Sequence, residues 1–141
     1  MTEPYILLVE DREEDVELML RSFKRSHLGN EVVVKRDGVE ALEYLEQAAA
    51  LPALILSDIS MPRMNGIELV AAVRKIDRLR YVPIVMLTSS KEEPDLSASY
   101  QRGANSYVLK PVKFQDFTEL VERLGMYWLV TNQAPNSDRP A

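Results

Sequence analysis

The sequence predicts an α/β fold, a five-stranded parallel sheet with helices packed on both faces. Three observations lead there. Short runs that are apolar throughout recur five times, as expected of strands buried on both faces. Between them the apolar residues take the i, i+3, i+4 spacing of one helical face. Residues able to do chemistry follow the apolar runs instead of interrupting them, which places them at strand ends.

The elements follow in order. Residues 5–9 (Tyr-Ile-Leu-Leu-Val) form an apolar run of strand length with β-branched and aromatic members. From Arg12 the period changes, and Val16, Met19, Leu20 and Phe23 share a helical face. Leu28-Gly29-Asn30 is expected to end that helix in a left-handed cap. Val32, Val33 and Val34 make a shorter strand that turns basic at Lys35 and Arg36, as edge strands do. Asp37-Gly38 reads as a turn. Val39, Leu42 and Leu45 mark a second helix running to about Ala50, and Pro52 stops it. Residues 54–57 are the third strand. Gly66, Leu69, Val70, Val73 and Ile76 mark the third helix, and residues 83–88 the fourth strand. The fourth helix, residues 92–102, has only Leu96, Ala98 and Tyr100 as apolar anchors. Residues 106–109 are the fifth strand. The last helix carries Phe114, Phe117, Val121, Leu124 and Trp128. One domain over residues 1–131 with a loose polar tail over 132–141 is expected.

Composition narrows the function. The 141 residues carry a net charge of −5, which opposes nonspecific binding to nucleic acid. Cysteine is absent, so disulfides and zinc–thiolate sites are excluded. The amino terminus lacks the basic start and apolar core of a secretory signal. No apolar stretch approaches the roughly 18 residues that suggest a membrane span. A soluble, cytoplasmic protein is the expectation.

The polar residues at the strand ends carry the chemistry. Glu10 and Asp11 follow the first strand, Asp58 the third, Thr88 ends the fourth, and Lys110 follows the fifth. In an open parallel sheet these ends share one edge, where ligands bind. Glu13, Glu14, Asp15 and Glu17 read instead as a solvated first helical turn favoured by the macrodipole. Three crowded carboxylates raise one another's pKa unless a cation sits among them. With no cysteine and the lone histidine, His27, at a distant helix end, the hard oxygen donors point to Mg²⁺, or Mn²⁺ in its place. Lys110 can neutralise phosphate oxygens, and Thr88 can donate a hydrogen bond to an oxygen that appears after reaction. Asp58 is then a ligand alone or also a nucleophile.

These residues carry a resemblance. Val9-Glu10-Asp11, Ser57-Asp58-Ile59-Ser60-Met61-Pro62, Asn65-Gly66, Leu87-Thr88-Ser89-Ser90 and Tyr107-Val108-Leu109-Lys110-Pro111 resemble the receiver domain of two-component response regulators, over residues 5–131. The resemblance implies a flavodoxin-like (βα)5 fold with strand order 2-1-3-4-5. It implies that Asp58 accepts a phosphoryl group from a phosphohistidine on a sensor kinase. Asp11, Asp58 and the carbonyl of Ser60 would hold Mg²⁺, and Glu10 would act through a bound water. Lys110 would pair with Asp58 and then with the phosphoryl group, Thr88 and Tyr107 would be the switch pair, and the Lys110–Pro111 bond would be cis. Residues 86–93, Gly103-Ala104-Asn105-Ser106-Tyr107 and Tyr127-Trp128 are similar to the stand-alone regulators that accompany bacterial phytochromes, which implies such a kinase as partner.

Several alternatives stay open. Tyr107 reads equally as ordinary core. Met126, Tyr127, Leu129 and Val130 exceed what one buried face needs. With Trp128 they either cap the end of the sheet or form a homodimer seam on the face of helix 4, strand 5 and helix 5. A haloacid dehalogenase-type phosphatase also uses an aspartate nucleophile and Mg²⁺. It wants a second aspartate two positions on, where this chain has Ser60. A flavin-binding module is disfavoured by the acidic loop after the first strand. About ten residues follow the last helix, too few for a DNA-binding domain, so output is expected through protein contacts.

Overall fold

A computed structural model of the chain describes residues 4–26, 29–133 and 135. Its elements alternate as β1 (Ile6–Val9), α1 (Glu13–Arg25), β2 (Val32–Lys35), α2 (Gly38–Gln47), β3 (Leu54–Ser57), α3 (Gly66–Arg74), β4 (Ile84–Thr88), α4 (Glu93–Arg102), β5 (Ser106–Leu109) and α5 (Phe114–Gly125). The five strands form one sheet in the order β2-β1-β3-β4-β5, every pair parallel. The architecture is the flavodoxin-like one expected.

Strand alternation divides the core in two. On one face Leu7, Val9, Ile55, Ile84 and Met86 pack with Ala41 and Leu45 of α2 and Leu69, Val70 and Val73 of α3. On the other, Ile6, Leu8, Leu54, Leu56, Val85 and Leu87 meet Met19 and Phe23 of α1 and Phe117, Val121 and Leu124 of α5. Burying a side chain of this size contributes about 1.5–3 kcal/mol. Central strands whose residues alternate between two cores must be apolar at every position, which is why they were legible. β2 lies at the edge and is only half buried. The fourth helix is anchored as sparsely as its sequence suggests: Ser99 is its one buried residue, and Tyr100 is exposed.

Several local expectations are corrected. α1 ends at Arg25, with Ser26 extended and its N–H on the Ser22 carbonyl. Gly29 does adopt a left-handed φ of 64°, but beyond the helix, where it turns the chain toward β2. His27 and Leu28 lie outside the described residues, as does most of the 132–141 tail. Asp37 is more than part of a turn. Its side chain caps α2 by accepting the Glu40 N–H at 2.9 Å and pairs with Arg63. α2 ends at Gln47, short of Ala50. A 3-10 turn, Asp77–Leu79, was not anticipated; three residues carry too little periodicity to read. After α5 the chain continues through a wider π-type turn, Met126–Thr131. No peptide bond among the described residues is cis. The Lys110–Pro111 bond is therefore trans, the isomer that X-Pro bonds favour by about 0.5–1 kcal/mol, and the cis expectation is overturned.

Gly66 fixes the loop between β3 and α3. Its N–H bonds the Ile59 carbonyl at 2.8 Å, and a Cβ there would lie 2.1 Å from the Asp58 carbonyl oxygen. Asn65 and Glu68 close the helix start with a reciprocal capping box. Gly66→Ala should therefore push the backbone of Asp58 outward and cost about 1–3 kcal/mol, the usual range for overpacking. Urea unfolding checks this, and an unchanged midpoint would show that the loop has room to spare.

Candidate functional site

The parallel topology brings the ends of β1, β3, β4 and β5 to one edge, and the acidic residues converge there. Asp58 stands just past β3, 9% exposed, with its N–H on the Val9 carbonyl at 3.0 Å. One carboxylate oxygen accepts the Ile59 N–H at 2.7 Å and the other faces the Lys110 ammonium at 3.1 Å. Glu10, only 2% exposed, holds Lys110 at 2.5 Å. Asp11 is exposed. One carboxylate oxygen each from Glu10, Asp11 and Asp58 lies within 4.8 Å of the others. Hard oxygen donors this close fit a divalent cation.

Lys110 has a third partner that the sequence reading missed. Asp15, in the first turn of α1, accepts from its ammonium at 2.8 Å. Read from the chain alone, Asp15 is one of several acids that suit a helix N-terminus. The available signal was its position, four residues after Asp11, which returns it to the same side of the chain as the helix begins. The group thus sets four carboxylates against one ammonium, a surplus of negative charge that a dication would offset.

The titration of these groups reflects their burial. Burial pushes Glu10 up to about 7, aided by the charge of Asp58 and opposed by Lys110. Burial acts upward on Asp15 as well, but the hydrogen bond and charge of Lys110 prevail and hold it below the usual carboxylate range. Burial would lower Lys110; its bonds to Asp15 and Glu10 outweigh that and raise it.

Thr88 and Tyr107 are joined to one another through Ser90. Buried at the end of β4, Thr88 accepts the Ser90 N–H on its hydroxyl at 3.2 Å. The Tyr107 hydroxyl donates to the Ser90 carbonyl at 2.8 Å. Its ring packs on the core, so it is core residue and loop partner at once. Ser90 also donates its hydroxyl to Asp95 of α4 at 2.6 Å. Ser60 is exposed two residues after Asp58. Arg63, at a left-handed φ of 64°, ties this loop to Asp37 at 2.9 Å. The Gly38 N–H adds a bond to the Met64 carbonyl at 3.1 Å.

Tyr127, Trp128 and Val130 stand apart from this group, beyond the end of α5, the helix that leads away from the site. Trp128 and Leu129 pack against the core, whereas Met126, Tyr127 and Val130 are about half exposed. One side of the segment thus covers the core, as the capping reading expects, and the other is left open. No helix among the described residues is long and apolar enough to cross a membrane.

Comparison with known proteins agrees with this geometry. Residues 6–122 match the response regulator receiver domain. The chain is 34% identical to response regulator Rcp1 of Synechocystis over 92% of each sequence. The Mn²⁺-bound form of Rcp1 superposes with a TM-score of 0.83, covering 94% of this chain and 99% of that one. The phosphorylated cyanobacterial phytochrome response regulator RcpA aligns at 33% identity and a TM-score of 0.88, over 95% and 99% of the two chains. The bacteriophytochrome response regulator RtBRR is 45% identical over 96% of this chain and 86% of its own, with a TM-score of 0.75. The fold and site define a phosphoacceptor signalling protein of the two-component class. The chain belongs to the response regulator receiver domain family, and the phosphatase alternative is not favoured.

Glu10 sets a pH dependence. Its raised value means that ionisation costs more in the fold than in the unfolded chain. The stability it lends is complete below its ordinary value of 4.5 and is lost as pH rises through about 7. Asp15, held low, acts below this window, and Lys110, raised, acts above it. In chelator, stability should therefore fall between pH 5 and 8, and Glu10→Gln should flatten that fall. Parallel profiles from urea unfolding would contradict the assignment.

Proposed function

We propose that Asp58 accepts a phosphoryl group from a phosphohistidine on a sensor histidine kinase, within a domain spanning residues 1–131. The observation that carries the reading is the Asp58 carboxylate held 3.1 Å from the Lys110 ammonium and grouped with Glu10 and Asp11. One oxygen of Asp58 attacks phosphorus in line. The P–O bond forms as the P–N bond breaks, and the imidazole leaves with the electron pair. Such transfers need positioning and charge neutralisation more than covalent help. Asp11, Asp58 and the Ser60 carbonyl would hold Mg²⁺, with Glu10 acting through a water, and the ion supplies neutralisation of the approaching anions. The Mn²⁺-bound Rcp1 structure supports a divalent ion here. Lys110 turns from Asp58 to a phosphoryl oxygen. The chain thereby promotes its own phosphorylation and the later hydrolysis.

Signalling follows from the new charge. Phosphorylation adds negative charge and acceptor oxygens, and the Thr88 hydroxyl is the switch donor drawn toward them. That movement takes away the acceptor of the Ser90 N–H, and Tyr107 and the start of α4 are attached to the same residue. Moving a population from 1:99 to 99:1 needs about 5.5 kcal/mol. One hydrogen bond to a charged group contributes about 1.5–3 kcal/mol, so Lys110 and loop repacking contribute the remainder.

The phytochrome-associated regulators among the similar structures support a bacterial phytochrome as the kinase, and the cytoplasm is the compartment we propose for the pair. Acetyl phosphate with Mg²⁺, and a phosphorylated phytochrome kinase, should both label the protein. Asp58→Asn should abolish labelling from either donor. Labelling that survives the substitution rejects Asp58. Labelling by acetyl phosphate and by other sensor kinases but never by phytochromes rejects the partner alone.

The exposed side of the π-type turn supports a homodimer on the α4–β5–α5 face, with Tyr127 and Val130 in the seam and Trp128 bracing it from the core side. Sedimentation should show a concentration-dependent dimer that Tyr127→Ser combined with Val130→Ser weakens by at least tenfold. A monomer at every concentration, with and without a phosphate mimic, contradicts it.

A further inference from the structure

We infer that Asp15 is a positioning residue for Lys110, keeping the ammonium in place while its other partners serve the cation. The inference rests on the phosphoacceptor reading of Asp58 and extends it to a residue outside the expected set. Lys110 is nearly buried, and an ammonium has three N–H donors. All three are engaged, by Glu10 at 2.5 Å, Asp15 at 2.8 Å and Asp58 at 3.1 Å. The carboxylates close enough to share a metal are Glu10, Asp11 and Asp58. Two acids therefore belong to both sets. Asp11 is exclusive to the cation and Asp15 to the lysine.

This division matters when both positive groups are present. A dication drawing on Glu10 and Asp58 weakens their hold on Lys110 and repels its ammonium. The lysine stem is long and flexible, so without a tether of its own the ammonium would drift toward solvent. Asp15 supplies that tether from α1, an element outside the loops that carry the cation ligands. Its backbone is fixed in the first helical turn, next to Val16, which is buried. The salt-bridge partner Arg12, at 3.9 Å and largely exposed, competes only weakly for the same carboxylate. When the phosphoryl group arrives on Asp58, one N–H of Lys110 turns to it and the bond to Asp15 persists.

Two roles for Asp15 give opposite kinetic signatures. A tether acts on the rate at saturation, because misplacing a charge-neutralising group by about 1 Å can cost up to a hundredfold. An acid that merely attracts the cation acts on the Mg²⁺ midpoint and leaves the saturated rate unchanged. Phosphorylation of the full chain by acetyl phosphate should be followed across a Mg²⁺ titration for the wild type, Asp15→Ala, Asp15→Asn and Lys110→Ala. Thermal unfolding should confirm that each variant is folded. We expect Asp15→Ala to lower the limiting rate about tenfold with the Mg²⁺ midpoint moved less than threefold. Asp15→Asn, which keeps an acceptor oxygen, should fall between it and the wild type.

In a Lys110→Ala background, Asp15→Ala should have no further effect, because the tether then has nothing to hold. A wild-type limiting rate in Asp15→Ala, a change confined to the Mg²⁺ midpoint, or a full additive loss in the Lys110→Ala background overturns the inference. Asp58→Asn serves as the separate control. Labelling that survives it sinks the phosphoacceptor reading, whereas its loss beside an unaffected Asp15→Ala sinks only the tether.

Discussion

One ammonium shared among three carboxylates is the interaction on which this molecule depends. Lys110 follows β5, Glu10 follows β1, Asp58 follows β3 and Asp15 opens α1, so four separate elements meet at a single nitrogen. Burying a carboxylate without a partner is costly, and removing one member of a buried ion pair typically costs about 3–5 kcal/mol. The arrangement is therefore a constraint on the fold as much as a reactive centre. The surplus of negative charge that remains after Lys110 is counted gives a divalent cation its place.

The central strands were readable because both their faces are buried, so residues 54–57 and 84–88 needed no context to stand out. Strand order could not come from periodicity, since any order of five such runs buries the same surfaces; it came from the resemblance. The site was legible to the extent that strand ends imply a shared edge, which placed Glu10, Asp11, Asp58 and Lys110 correctly. Asp15 was hidden among helix-start acids whose presence the macrodipole already explains. Asp37 was hidden because its two tasks, capping α2 and holding Arg63, depend on a loop that meets it only in three dimensions. The trans Lys110–Pro111 bond corrects an expectation that family likeness alone had supplied.

The edge of the sheet is stiff on one side and loose on the other. The loop after β3 is pinned by the close approach of Gly66 to Asp58, by the capping box of Asn65 and by the Asp37–Arg63 pair. The loop after β4 is organised by hydrogen bonds to Ser90, and it leads into a helix with one buried residue. Few buried apolar contacts mean a low cost of local movement. A group that adds charge at the pinned side can therefore be felt at the loose side without disturbing the core. This is the physical sense in which the fold suits a switch.

Anomalous scattering from crystals soaked in Mn²⁺ tests the central claim most directly. The account predicts one strong peak within coordination distance of the Asp11 and Asp58 carboxylates, with the Lys110 nitrogen still beside them. A peak elsewhere, or no peak at saturating Mn²⁺ with the acids in the same places, would contradict it.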